Sequence, residues 1–462
     1  MMSRPPAAVR RPPELLAPAG SLEMMRTAFA FGADAVYAGQ PRYSLRVRNN
    51  SFGKLEALAA GIDEAHAAGK AFYLVANIYP HNAKVRTFAE DMAPVIAMRP
   101  DALIMADPGL MMMVRERWPE MDIHLSVQAN TTNYASVRFW QSVGVKRIIL
   151  SRELSLDEVA EIRDACPEME LEVFVHGALC IAYSGRCLLS GYFNHRDPNQ
   201  GTCTNSCRWD YKLHATAEDA AGDVHACGQT PIGNPTDFGT VGTALGGGAR
   251  HGEGSKVWLL EEGTRPGELM PIEEDEHGTY ILNSRDLRAV EHVQRLVEIG
   301  VDSLKIEGRT KSPYYVARTS QGYRRAIDDA AAGRPFDLAL LGELEGLANR
   351  GYTDGFYQRH HTPEHQNYLR GHSESGRSLL VGEVIGFDAA RGLAEVEVKN
   401  AFGVGDRLEF IQPGGNHVAV ATRIEQADST PVERVPGSGR RVWLPLPAAA
   451  RADAPCYIAR FI

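Results

Sequence analysis

Eight short apolar runs, each followed by a polar or glycine-containing turn and a helical stretch, constrain this chain more than any other feature. Seven lie at residues 14–18, 35–39, 72–77, 102–107, 124–130, 147–154 and 171–177, and the eighth, 302–308, comes after a long interruption. Their apolar character is continuous, not alternating, which suits strands buried on both faces of a parallel sheet. Segments such as 22–31, with Ser21 as its N-cap, and 155–164 supply the intervening helices. Eight strand–helix units predict a (β/α)8, TIM-like barrel; a doubly wound open sheet is the competing arrangement.

In a barrel the chemistry belongs at the C-terminal ends of the strands. Those ends carry Asn77, Asp107, Gln128, Asn130, Arg152, Glu153, His176, Glu307 and Arg309. Glu153, His176 and Glu307 are the candidates for moving protons. Arg46, Arg48, Arg152, Arg186 and Arg309 would share the same rim, joined by Arg42, His81, Lys84 and Arg86. A planar guanidinium matches a carboxylate or phosphate with two hydrogen bonds, so such a rim predicts substrate binding by a basic funnel. The chain as a whole carries a formal charge of −9, which excludes a globally basic nucleic-acid binder but not a local patch. Tyr43, Phe52 and Tyr79 sit in the same loops and either stack a base or pack internally.

The interruption covers residues 212–275, an insertion before the last barrel strand that includes the glycine-rich run GTVGTALGGGARHGEGS. The barrel unit therefore spans 1–335, with a helical connector and polar linker over 336–377. From 378 to 462 the rhythm changes to short alternating strands with turn signals, which predicts a separate small C-terminal β-barrel domain. No apolar run reaches the roughly 18 residues a membrane span needs, and the N-terminus has no apolar signal core, so a soluble cytoplasmic protein is expected.

The seven cysteines are unevenly placed. Four are spaced Cys180-x6-Cys187-x15-Cys203-x3-Cys207, Cys227 follows as an alternative fourth ligand, and Cys166 and Cys456 stand apart as core thiols. Four thiolates beyond the end of one barrel strand are the donor set of an iron–sulfur site. Structural zinc usually takes short C-x2–4-C pairs, and only Cys203 and Cys207 have that spacing. A group of buried free thiols is the plainer alternative.

The segment Glu172-x-Phe174-x2-Gly177-Ala178-Leu179-Cys180-x4-Gly185-x-Cys187-x-Leu189-Ser190 resembles the signature of the collagenase-like peptidase U32 family. ELLAPAGSLE, RDPNQGTCTNSCRW, EDEHGTYILNSRDLR, SLKIEGRTKSPYY and RGYTDGF extend the resemblance through the chain, toward the branch of prephenate-dependent tRNA uridine-hydroxylation proteins. That resemblance implies an iron–sulfur cluster, 4Fe-4S, on Cys180, Cys187, Cys203 and Cys207. It also implies tRNA as partner and prephenate as co-substrate, with oxygen-independent 5-hydroxylation of the wobble uridine. Two other readings stand beside it. One is a collagenase-like peptidase using Cys180 with His176 or His195, although no G-x-S-x-G or HExxH motif is present. The other is an RNA-binding adaptor with a structural metal cluster.

Overall fold

The computed structural model describes residues 11–44, 51–178, 286–309, 311–347, 352–358 and 378–461, together with the backbones of short strands between 182 and 281. Eight parallel strands form its centre: β1 (Glu14–Pro18), β2 (Ala35–Gly39), β3 (Ala71–Ala76), β4 (Ala102–Met105), β5 (Ile123–Leu125), β6 (Arg147–Ile149), β7 (Glu170–Ala178) and β8 (Ser303–Ile306). Each pairs with its successor, and β8 pairs in parallel with both β7 (Phe174 beside Lys305) and β1 (Leu16 beside Lys305). That double pairing closes the sheet and decides between the two predicted arrangements: the fold is a (β/α)8 barrel. All five residues of β2 are buried, as expected for a strand covered on both faces.

Helices α1 (Leu22–Ala30), α2 (Leu55–Ala67), α3 (Asn82–Ala97), α4 (Pro108–Arg117), α5 (Tyr134–Ser142), α6 (Leu156–Ala165), α7 (Val293–Ile299) and α8 (Pro313–Ala331) accompany the strands. Their starts are locally encoded. Ser21 Oγ accepts from Met24 N, Ser155 and Glu158 form a reciprocal capping box, and Ser312 caps α8 with Pro313 in its first turn. Strands β5 and β6 are shorter than the apolar runs that announced them. Beyond Leu125 the polar residues leave the ladder, forming a 3-10 turn over Val127–Ala129 that ends with Asn130 in the left-handed region.

An antiparallel sheet joins Tyr211–His214, Val257–Glu262, Leu269–Asp275 and Gly278–Ile281, so the interruption carries a sheet of its own that runs past residue 275. The glycine-rich run between its first two strands hid this pattern from a reading by periodicity. A short strand, Asp286–Arg288, then lies antiparallel to the end of β7 and carries Tyr352–Thr353 on its far side.

The C-terminal residues form an antiparallel sheet from β9 (Ser378–Asp388), β10 (Leu393–Val398), β11 (Arg407–Gln412), β12 (Gly415–Val420), β13 (Arg441–Pro445) and β14 (Cys456–Phe461), in the order β12-β11-β14-β9-β10-β13. Strand β14, which the sequence reading missed, lies inside this sheet between β11 and β9. Alternation along it sends Cys456 and Ile458 into the sheet's own core and Tyr457 and Ala459 toward the barrel. On that second face Arg318 of α8 donates two bonds to Glu409, at 3.1 and 2.6 Å, and Gln321 Nε2 donates to the Gln412 carbonyl at 2.8 Å. The sheet is therefore seated on α8 through buried polar pairs, not merely tethered to it. Among the described residues no helix is long and apolar enough to cross a membrane.

Candidate active site at the barrel mouth

The barrel interior is built on charge. Side chains alternate along each strand, so Glu14, Tyr73, His124, Arg147, Glu172 and Lys305 all point inward, where barrels usually carry branched apolar residues. Arg147 donates to Glu14 at 2.7 Å, to Glu170 at 2.9 Å and to Glu172 at 3.4 Å. Tyr73 Oη and Ser303 Oγ also donate to Glu14, at 2.6 and 3.0 Å. Lys305 Nζ donates to the other oxygen of Glu172 at 2.8 Å, and Glu172 is wholly buried. Burial lowers the Lys305 pKa, while Glu172 opposes the shift by favouring the charged ammonium.

Above this stack two rings form a floor. Lys305 Nζ lies 4.4 Å from the centre of the Tyr37 ring and 5.5 Å from that of Phe174. Each ring also carries a guanidinium: Arg309 lies 5.8 Å from the Tyr37 centre and Arg152 only 3.7 Å from that of Phe174. Arg152 Nη2 stands 3.6 Å from Glu307 Oε2. Arg309 Nη1 donates to Ser44 Oγ at 2.9 Å, and Gln40 Oε1 accepts from the backbone amides of Arg42 and Tyr43, fixing the loop that presents Ser44. Glycines make room for this arginine. A Cβ on Gly39 would lie 2.6 Å from Arg309 Nη1, and one on Gly20 would lie 2.3 Å from the Arg309 carbonyl. Two cationic planes and one carboxylate thus converge at the C-terminal ends of β2, β6, β7 and β8. Such a set binds an anion and holds a proton acceptor beside it.

Of the residues singled out from sequence, Arg152, Glu307 and Arg309 meet here. Glu153 is half-buried in the turn after β6. His176 lies on the other side of the barrel wall, because the register shifts between Lys305 and Ile306 and turns it outward beneath α8. There it is 1% exposed among Tyr315, Tyr323 and Tyr352, with Nδ1 3.3 Å from Tyr323 Oη. Its Nε2 has no hydrogen-bond partner among the described residues, and burial pushes its pKa down to about 3. A neutral ring in that position is not presented to a substrate at the mouth. Arg46, Arg48, Cys180, Cys203, Cys207 and Cys227 lie outside the described residues. Arg186 and Cys187 are described only by the backbone of a two-residue strand, paired antiparallel with Ala182–Tyr183.

Tyr43 and Phe52 are packing residues. Tyr43 sets its ring edge-on to Phe88 and bonds Asp91, and Phe52 sets its ring against Phe72. Tyr79 is 55% exposed, with its hydroxyl on the Gln128 carbonyl, and is the one of the three whose ring faces solvent. Sequence reasoning missed Tyr37, Ser44, Phe174 and Lys305. The lysine was legible as a charge inside an apolar run, DSLKIEG, where a buried strand has no plain use for one. Cys166 and Cys456 are buried in the two apolar cores. Among the described residues no group of three or more His, Cys, Asp or Glu side chains is placed to hold a metal.

A family model described as Peptidase family U32 matches residues 20–367, and one described as Peptidase family U32 C-terminal domain matches residues 377–455. The chain is 60% identical to a "tRNA hydroxylation protein P" of Escherichia coli, over 94% of each chain. It is 57% identical to the protein of that name in Haemophilus influenzae, over 94% of this chain and 93% of the relative. A "Collagenase" of Porphyromonas gingivalis is 25% identical over 96% of this chain and 97% of that one.

Proposed function

The chain belongs to peptidase family U32, and on that premise we propose that it hydroxylates tRNA, at C5 of the wobble uridine, in the cytoplasm. The reading is supported by 60% identity along nearly the whole of a protein named for tRNA hydroxylation. The observation in the structure that carries it is the meeting of Arg152, Glu307 and Arg309 at the mouth, at the end of the strand that leads into the cysteine-bearing segment.

Replacing C5–H by C5–OH removes two electrons from the base, so the site needs an electron acceptor and an oxygen donor. In the proposed reaction the oxygen donor is linked to prephenate and is itself the two-electron acceptor, being reduced as it gives up its oxygen to C5, so that molecular oxygen is not consumed. The donor set Cys180, Cys187, Cys203 and Cys207 suits an iron–sulfur cluster, four thiolates being what such a cluster takes, and when bound it would supply the redox and Lewis-acid chemistry. The chain's own residues do the rest. Arg152 and Arg309 anchor the carboxylates of the small co-substrate or a tRNA phosphate, each guanidinium within cation–π distance of an aromatic ring. Glu307 stands beside Arg152 and accepts the C5 proton. Tyr79, exposed on the rim, offers a face on which a splayed base stacks.

Proteolysis would need a nucleophile with a histidine in reach. His176 is buried among tyrosines on the outer face of the barrel wall, which disfavours its pairing with Cys180 as a cysteine-protease dyad. The assay for the reading uses anaerobically purified protein, prephenate and unmodified tRNA. Glu307→Gln is expected to lower the hydroxylation rate by roughly a hundredfold or more while leaving tRNA affinity in place. A Glu307→Gln protein that hydroxylates at the wild-type rate would remove this carboxylate from the reaction.

A further inference from the structure

Stability alone does not account for the buried Lys305–Glu172 pair. Lys305 is 3% exposed and Glu172 is not exposed at all. Taking two charges out of water costs several kcal/mol each, and well-packed apolar residues of similar volume commonly serve a core as well or better. The pair therefore calls for a role other than holding the barrel together.

Its placement supplies one. From below, the ammonium is over-determined: Glu172 grips it at 2.8 Å and is itself held by Arg147, which reaches Glu14 and Glu170. From above, it meets Tyr37 and Phe174, the two rings that carry the mouth arginines. The Tyr37 hydroxyl donates to the Ile306 carbonyl at 2.9 Å, so that ring is pinned to β8 at both its face and its tip. After Glu172, the charged groups that act most strongly on Lys305 are Glu307 and Arg309, both of the mouth, and Arg147 shares Glu172 with it from below.

We propose that Lys305 is a positioning residue for the mouth: its ammonium, clamped by Glu172, fixes the Tyr37 and Phe174 rings and through them the planes of Arg309 and Arg152. A cation below a ring and a cation beside it both favour one ring orientation, since each is drawn to the π-face. The bottom of the barrel is thereby connected to the substrate-binding groups by one continuous line of contacts, from Glu172 through Lys305 to the two rings and on to the two arginines. As to turnover the inference rests on the tRNA-hydroxylation reading; as to geometry it stands without it.

The test compares Lys305→Met with the double variant Lys305→Met/Glu172→Gln. The single variant strips Glu172 of one partner and is expected to melt at a lower temperature. The double variant removes both charges and is expected to recover most of the loss. Stability and positioning are then separable. In the double variant KM for tRNA should stay within about threefold of wild type while turnover falls about tenfold or more, as misplaced groups cost turnover more than affinity. A crystal structure of the double variant should show the Arg152 and Arg309 guanidiniums displaced from their rings. Wild-type turnover together with undisplaced arginines in a stable double variant would overturn the proposal. If wild-type protein itself does not hydroxylate tRNA, the functional reading falls, and the crystal structure still decides whether Lys305 positions the arginines.

Discussion

At the scale of single residues, the barrel keeps two histidines uncharged. Burial pushes the His176 pKa down to about 3, aided by Arg288 and Lys311. Burial likewise holds His124 well below its usual range, with Arg147, Lys305 and Lys146 adding to the shift. The sign of the consequence follows from linkage. In the unfolded chain both rings take up a proton below about pH 6.5; in the folded protein His176 stays neutral at pH 5, and burial opposes protonation of His124. Their contribution to stability is therefore complete above about pH 6.5 and is lost as the pH falls. Between pH 7.5 and 5.5 His176 alone should account for a loss of about 1.4 kcal/mol, the slope approaching about 1.4 kcal/mol per pH unit only below about pH 5.5, and His124 should add to it. Urea titrations at pH 7.5, 6.5 and 5.5 measure it, and His176→Phe should reduce the proton uptake on unfolding by one. A stability that stays level from pH 7 to 5 would mean that the rings are charged in the folded state.

At the scale of elements, the end of β7 carries the greatest local demand. Gly177 adopts φ 104°, and a Cβ there would lie 2.5 Å from the Glu307 carbonyl and 3.0 Å from Tyr315 Oη. Gly177→Ala combines a left-handed backbone with a clash against β8, and should cost about 2–4 kcal/mol by chemical denaturation. A neutral outcome would show that the β7–β8 junction yields more easily than its packing suggests. Elements were also what the sequence displayed best. The apolar runs placed all eight barrel strands, and Ser21 and Ser155 marked helix starts, because buried parallel strands and caps leave local signatures. What could not be read was non-local. Neither the register shift that turns His176 outward nor the rings beneath Arg152 and Arg309 have any trace in spacing, since the first depends on how β7 meets β8 and the others on how the ends of β6 and β8 meet Phe174 of β7 and Tyr37 of β2. Strand β14 was missed because a single six-residue run after a proline-rich stretch offers little periodicity.

At the scale of the whole molecule, barrel and C-terminal sheet share one interface. Tyr457 packs on Phe31 and Tyr314, its hydroxyl meets Thr27 Oγ1 at 3.3 Å, and the Arg318–Glu409 pair lies buried nearby. Arg318→Met should destabilise by about 3–5 kcal/mol because it strands a buried carboxylate, whereas Arg318→Met/Glu409→Leu should recover most of that loss. A single cooperative unfolding transition, moving as one in these variants, is expected from a sheet locked to the barrel. Two transitions that separate in Arg318→Met would show instead that the halves unfold independently.

The most direct test of the central claim is nucleoside mass spectrometry of tRNA from cells that lack their own tRNA-hydroxylation proteins and express this chain. The account predicts that 5-hydroxyuridine or its derivatives return with the wild-type chain and not with Cys180→Ser or Glu307→Gln. Unmodified uridine in the presence of abundant, folded wild-type protein would contradict it.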